Sequence, residues 1–268
     1  MRYFITLSYD GTRYHGWQIQ PNANSVQQEL QRALSILLRQ PVEVVGAGRT
    51  DTGVHARMMV AHFDSPSPSS SEQEKPCPQP LAGDSGSLVY RLNKLLPRDI
   101  AVQDIRRVPD DMHARFSATS RTYHYYIHTG KDPFLTAYSW QVPYQLDIQR
   151  MNEAAQVLME YQDFTSFSKV DTDTKTNLCD IREACWEEVA PHQWRFTITA
   201  NRFLRNMVRA IVGTLVEVGR GRLCINDVRR IIQARDRCQA GESVPGNALF
   251  LADIRYEAFP DTKGMIIR

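Results

Sequence analysis

An aspartate set between glycines is the first chemistry the chain offers. The run Gly46-Ala-Gly-Arg-Thr-Asp-Thr-Gly-Val-His-Ala56 places Asp51 just beyond a short apolar stretch, Val42, Val44 and Val45. Glycines let backbone turn sharply and approach a ligand closely, with one carboxylate presented at the tip. Arg49 supplies a nearby cation that would hold such a carboxylate ionised. A carboxylate so placed is a candidate nucleophile or base. The same residue types also describe an ordinary turn aspartate.

Other chemistries fit less well. Gly46 and Gly48 could open a dinucleotide fingerprint, but its third glycine position is Asp51, which would repel a pyrophosphate. Gly48 and Gly53 have phosphate-loop spacing, yet Val54 stands where that loop needs lysine. Asp171-Thr-Asp173 has the form of a phosphatase pair, but Lys175 occupies the position that wants threonine or valine. No metal is implied: His55 and His62 are seven apart, with no cysteine or carboxylate in ligand spacing. His113, His124 and His128 read as ordinary strand or surface histidines. Neither G-x-S-x-G nor H-E-x-x-H occurs, so serine and zinc hydrolases are unsupported.

The elements that would position these residues follow from periodicity. Tyr3, Ile5, Leu7 and Tyr9 alternate with Phe4, Thr6 and Ser8 as a first strand. Ser25, with Gln28 three residues on, predicts a capped helix whose inner face is Val26, Leu30, Ala33, Leu34 and Leu37. Short strands are expected near 42–46 and 57–63. Residues 64–87 hold seven serines and five prolines, a composition that predicts a mobile insert. A helix near 88–95 and a strand near 100–107 complete a β-α-β-β-α-β unit. The second half repeats the theme. Its strand at 121–128 puts Tyr123, Tyr125 and Ile127 on one face, and its helix near 148–159 is capped by Asp147. Strands near 180–188 and 194–200 follow. An apolar stripe of Leu204, Met207, Val208, Ile211, Val212, Leu215 and Val218, stopped by Gly219, predicts a long helix. A helix at 227–235 and a strand at 249–256 close the chain. The expected class is α+β, with a half at 1–108 and another at 109–268 facing each other across a cleft.

Composition bounds the partners. A chain of 268 residues with 42% apolar content can build one large or two small cores. The N-terminal residues lack a signal-like apolar segment and no run is long enough to span a membrane. Five scattered cysteines without a C-x-x-C fit reduced thiols, so the expected setting is the cytoplasm. Net charge is only +2, but cations cluster. Residues 112–131 hold Arg115, Arg121 and Lys131 with no acid, and 195–222 hold six arginines against Glu217. Only six of the 32 basic residues are lysine. Guanidinium groups pair with phosphate and stack on bases, so the distribution suits RNA, although a GC-rich genome would also enrich arginine.

The Asp51 run and five further ordered blocks then carry a resemblance. Tyr9-Asp10-Gly11 with Tyr14-His-Gly16-Trp17-Gln18, Ser25-Val26-Gln27, the Asp51 run, Ala114-Arg-Phe-Ser-Ala-Thr-Ser-Arg-Thr-Tyr123-His-Tyr125, Asp163-Phe-Thr-Ser-Phe167 and Phe203-Leu-Arg-Asn-Met-Val-Arg209 through Gly219 are similar, block by block, to the tRNA pseudouridine synthase A family. The resemblance covers nearly the whole chain, and the stretch at 64–87 is its clearest departure. It implies the pseudouridine synthase fold, two ferredoxin-like or RRM-like halves with mainly antiparallel sheets around a catalytic cleft. It implies isomerisation of uridine to pseudouridine in the anticodon stem-loop of tRNA, at tRNA positions 38 to 40, without cofactor or metal, by a homodimer.

By that resemblance Asp51 is the catalytic nucleophile, Arg209 its ion-pair partner, and Tyr123 the residue that packs on the base and handles a proton. Arg49 would help extrude the uridine from its stack. Arg202 and Arg205 are candidates for phosphate contact. Plain readings stand beside these: a core aromatic for Tyr123, a snorkelling cation for Arg209, a solvated face for Arg202 and Arg205. A tRNA-binding or RNA-chaperone protein without catalysis is the alternative function. A glycosidic hydrolase is another, but the blocks offer no second carboxylate in a comparable setting.

Overall fold

In the computed structural model, residues 1–65, 85–169 and 175–257 are described. Most of the serine- and proline-rich stretch, residues 66–84, lies outside them, as do Cys77, Asp171 and Asp173. The elements run β1 (Arg2–Tyr9), α1 (Val26–Leu38), β2 (Val44–Gly46), β3 (His55–Asp64), α2 (Ser85–Leu95), β4 (Ile100–Val108), β5 (Ala118–His128), β6 (Trp140–Gln141), α3 (Ile148–Val157), β7 (Ile181–Ala190), β8 (Gln193–Ala200), α4 (Met207–Gly219), α5 (Ile225–Ala234) and β9 (Leu249–Tyr256). The class is α+β with mainly antiparallel pairing. Among the described residues no helix is long and apolar enough to cross a membrane. Two compact units form, Met1–Thr119 with Ile254–Arg268, and Ser120–Asp253.

In the first unit β1 lies between β4 and β3, antiparallel to both, and β2 pairs with β3. Ile5 and Leu7 are fully buried, and so is the Leu88 and Leu92 row of α2. Alternation along β1 predicts one covered face, yet Phe4 and Thr6 on the other side are buried as well. The Tyr256 ring packs at a tilt against Phe4, centroids 5.1 Å apart. The Ser25 hydroxyl accepts from the Gln28 amide at 3.3 Å, as the sequence predicts for the start of α1. Leu38, not Leu37, completes its buried face; both continue the row from Leu34, and only packing decides between i+3 and i+4. The expected insert is also shorter than 64–87. Asp64 ends β3, paired with Arg2, and residues 85–87 already belong to α2.

In the second unit the order is β9, β5, β8, β7. Strand β6, too short to show a period, adds to β5 in parallel register, Ile127 opposite Trp140. Asp147 caps α3 by accepting from the Arg150 amide at 3.0 Å. The long helix starts later than its apolar stripe predicts: Leu204 lies in the preceding turn, and Asn206, in left-handed conformation with φ 67°, leads into α4. All thirteen residues of α4 except Arg209 and Glu217 are buried, so it is a core helix and not a half-exposed one.

Each unit secures its outer strand the same way. The Asn93 side chain brackets the backbone of Val102 on β4, both hydrogen bonds 2.8 Å, and Asn152 brackets Trp186 on β7 at 2.7 and 3.0 Å. Amide side chains thus occupy backbone groups that an edge would otherwise expose.

Candidate active site

The Asp51 loop hangs on the segment that follows β1. The buried Thr50 hydroxyl bonds the Tyr9 hydroxyl at 2.8 Å, and the Thr50 carbonyl accepts from the Trp17 amide at 3.3 Å. The Gly53 amide donates to the Tyr14 carbonyl at 3.3 Å, and the Val54 amide closes the turn on the Asp51 carbonyl at 3.1 Å. These bonds need close backbone approach. Gly16 has φ +91°, and a Cβ there would lie 2.2 Å from the Thr50 carbonyl oxygen. A Cβ on Gly46 would enter the Trp17 indole at 2.5 Å. Beneath the loop, the Gly11 amide donates to His55 Nδ1 at 3.0 Å. The same nitrogen lies 3.1 Å from an Asp10 carboxylate oxygen. Asp10 also receives the Thr12 amide at 2.9 Å.

The segment is braced from its far side. Tyr14 donates to Asp99 at 2.8 Å, and Arg13 pairs with the same carboxylate. Burial and the Asp99 charge push the Tyr14 phenol up, so it stays a donor. Asp51 itself is half-buried and Arg49 exposed. The loop thus presents a carboxylate at a fixed backbone position with an arginine two residues away.

The second unit carries the other candidates. Tyr123, half-exposed on β5, stands opposite Ile198 and meets the Phe203 ring edge to face at 5.1 Å. Arg209, in the first turn of α4, donates from Nε to the Val244 carbonyl at 2.6 Å. The neighbouring Pro245 carbonyl accepts from the fully buried Tyr125 hydroxyl at 3.0 Å. Burial pushes the Tyr125 phenol up, and the Arg209 charge works against that shift. Arg202 and Arg205 lie in the turn before α4 rather than on it, half-buried and exposed respectively. Burial raises the Cys179 thiol to about 11, with the Arg202 charge opposing it. The Arg205 carbonyl receives the Lys169 amide at 3.1 Å.

Sequence reasoning therefore named the presenting loop but not its supports. Tyr9, Gly16, Trp17 and Phe203 all fall inside the motif blocks, and their pairing with Thr50, Gly46 and Tyr123 is the part that no local pattern carries. Among the described residues no group of three or more His, Cys, Asp or Glu is placed to hold a metal.

A carboxylate loop and a separate tyrosine and arginine pair on an α+β scaffold define a class that comparison with known proteins makes explicit. The tRNA pseudouridine synthase family matches residues 5–117 and 154–257, and the chain belongs to that family of isomerases. Its relatives include proteins called tRNA pseudouridine synthase A. That of Bacteroides fragilis is 56% identical over 255 residues, 95% of this chain and 96% of the relative. That of Parabacteroides distasonis is 56% identical over 97% of this chain and 98% of its own length. That of Bacillus subtilis is 39% identical over 96% of this chain and all of its own.

Proposed function

We propose that this chain converts uridine to pseudouridine in the anticodon stem-loop of tRNA, at tRNA positions 38 to 40, with Asp51 as nucleophile. The observation that carries the reading is the hold on the Asp51 loop: Thr50 and Gly53 are tied to Tyr9, Trp17 and Tyr14, so the carboxylate is presented from fixed backbone. Breaking the N1–C1′ glycosidic bond calls for a carboxylate that attacks or stabilises an electron-poor centre. The uracil then turns, C5 bonds to C1′, the C5 hydrogen leaves to solvent and N1 takes up a proton in its place. No base is lost and no oxidant, reductant or cofactor enters the balance.

In this reading Arg209 pairs with the Asp51 carboxylate, and Tyr123, steadied by Phe203, packs on the target base and handles a proton. Arg49 helps extrude the uridine, and Arg202 and Arg205 contact phosphates. The strand orders, β4-β1-β3 with β2 beyond and β9-β5-β8-β7, support two ferredoxin-like halves, 1–108 and 109–268. The enzyme acts as a homodimer in the cytoplasm.

The test is turnover on tRNA transcripts tritiated at uracil C5. Release of tritium by wild type and none by Asp51→Ala or Asp51→Asn, with tRNA affinity within a few-fold, is the expected result. Turnover retained by either variant would remove Asp51 from the nucleophile role. No release by wild type, with tRNA still bound, would favour the non-catalytic tRNA-binding reading.

A further inference from the structure

Phe116 is 76% exposed, and the turn that carries it is closed by a set of hydrogen bonds. The Arg115 and Phe116 amides both donate to His113 Nδ1, at 3.1 and 3.3 Å. The His113 amide donates to the Ser117 hydroxyl and the Ser117 amide to the His113 carbonyl, each at 2.9 Å. Between them, the Ala114 amide donates to His62 Nδ1 at 3.2 Å and its carbonyl accepts from Tyr256 at 2.7 Å. Arg2 donates to the Met112 carbonyl at 2.9 Å. Burial and the charges of Arg2 and Arg115 push the His113 imidazole down, which keeps Nδ1 a lone-pair acceptor.

A single exposed phenylalanine is ordinary on a protein surface. One carried on a turn closed by so many bonds is presented. Its ring also has company: His113 lies against it at 4.4 Å, and the Arg115 guanidinium stands 5.6 Å from its centroid. Exposed Arg255 follows at the next contact, its carbonyl accepting from the Thr119 hydroxyl at 3.2 Å. Phe134 is more exposed still, but it stands on Asp132, whose carboxylate accepts its amide at 2.8 Å and would repel a phosphate backbone.

We propose that the 113–117 turn is a base-stacking platform, on which the Phe116 ring and the Arg115 guanidinium take one unpaired nucleobase of the RNA substrate. Every base has a π face, so such a platform orders a strand without reading its sequence, and a guanidinium beside it adds cation–π attraction and reaches phosphate. The inference rests on the reading of this chain as an enzyme acting on tRNA. The ring is largely exposed, resting on His113 with the Arg115 guanidinium beside it, so the side chain is available to a ligand.

The experiment measures the dissociation constant for an unmodified tRNA transcript, its salt dependence, tritium release and the melting temperature, for wild type, Phe116→Ala, Phe116→Leu and Phe116→Trp. Loss of one stacked base weakens binding about 5- to 150-fold. That loss is expected for Phe116→Ala, and most of it for Phe116→Leu, which keeps apolar bulk without a π face. Phe116→Trp should bind as well as wild type or better. The slope of log affinity against log salt should not change in any of them, whereas Arg115→Ala should make it shallower. Wild-type turnover together with Phe116→Ala affinity within two-fold of wild type would overturn the platform and leave the enzyme reading intact. Wild type that neither binds nor modifies tRNA would overturn both. Unaltered RNA affinity with a change in oligomeric state by sedimentation would assign the ring to a protein contact instead.

Discussion

Substituting Gly16 by alanine tests the link between the segment after β1 and the carboxylate loop. Gly16 has φ +91°, and a Cβ there would sit 2.2 Å from the Thr50 carbonyl oxygen. Left-handed backbone costs an L side chain about 1–2 kcal/mol. A carbon and a carbonyl oxygen need roughly 3.3 Å, so about 1 Å of overlap must be relieved by displacing Thr50, the residue next to Asp51. With the Trp17 and Tyr9 bonds to Thr50 stretched as well, the loss should reach about 2–4 kcal/mol. For a chain of this size that lowers the melting temperature by roughly 5–15 °C. A 1 Å misplacement of a reacting group slows chemistry about 100-fold, and turnover should fall by that order even where the protein stays folded. Gly48→Ala is the control, because nothing lies within 4 Å of a Cβ there. Tritium release and thermal melts on both variants decide the matter. If Gly16→Ala turned over within two-fold of wild type, the loop would not depend on this contact and the positioning argument would fail.

The remaining predictions concern charge. Burial, with help from Arg2 and His113, lowers His62 from the ordinary 6.5 to about 4. The folded chain then binds fewer protons than the unfolded one between those values, so stability is full above pH 6.5 and drains as pH falls toward 4. The ceiling is about 3 kcal/mol, and urea titrations at pH 7.5 and 4.5 should show a loss that His62→Gln reduces; a flat profile in wild type would refute it. Arg209→Ala removes a hydrogen bond from a charged group to the Val244 carbonyl, worth about 1.5–3 kcal/mol. It should lower both the melting temperature and turnover, whereas an unchanged melt would mark a solvated arginine.

Helix caps and inner faces were legible because their causes are local. Ser25 and Asp147 each bond an amide three residues on, and Val26, Leu30, Ala33 and Leu34 share a face by spacing alone. The choice of Leu38 over Leu37, the two-residue β6 and the burial of both sides of β1 depend on what packs against them, which periodicity does not contain. Leu204 misled for a related reason: apolar spacing continues into a turn whose residue Asn206 is left-handed. At the candidate site, glycines marked the Asp51 turn from sequence. That Gly16 serves Thr50 and Gly46 serves Trp17 required the chain to be folded.

The burial of α4 bears on what a sequence motif measures. Only Arg209 and Glu217 of that helix escape the core, so the other eleven letters of the helix are fixed by packing and not by reaction chemistry. A descendant that had lost its activity would keep the block nearly intact, since changing it would unfold the unit. Likeness across α4 is therefore a record of architecture. The half-buried Asp51, on a loop outside that helix, is where ancestry and present-day activity part company.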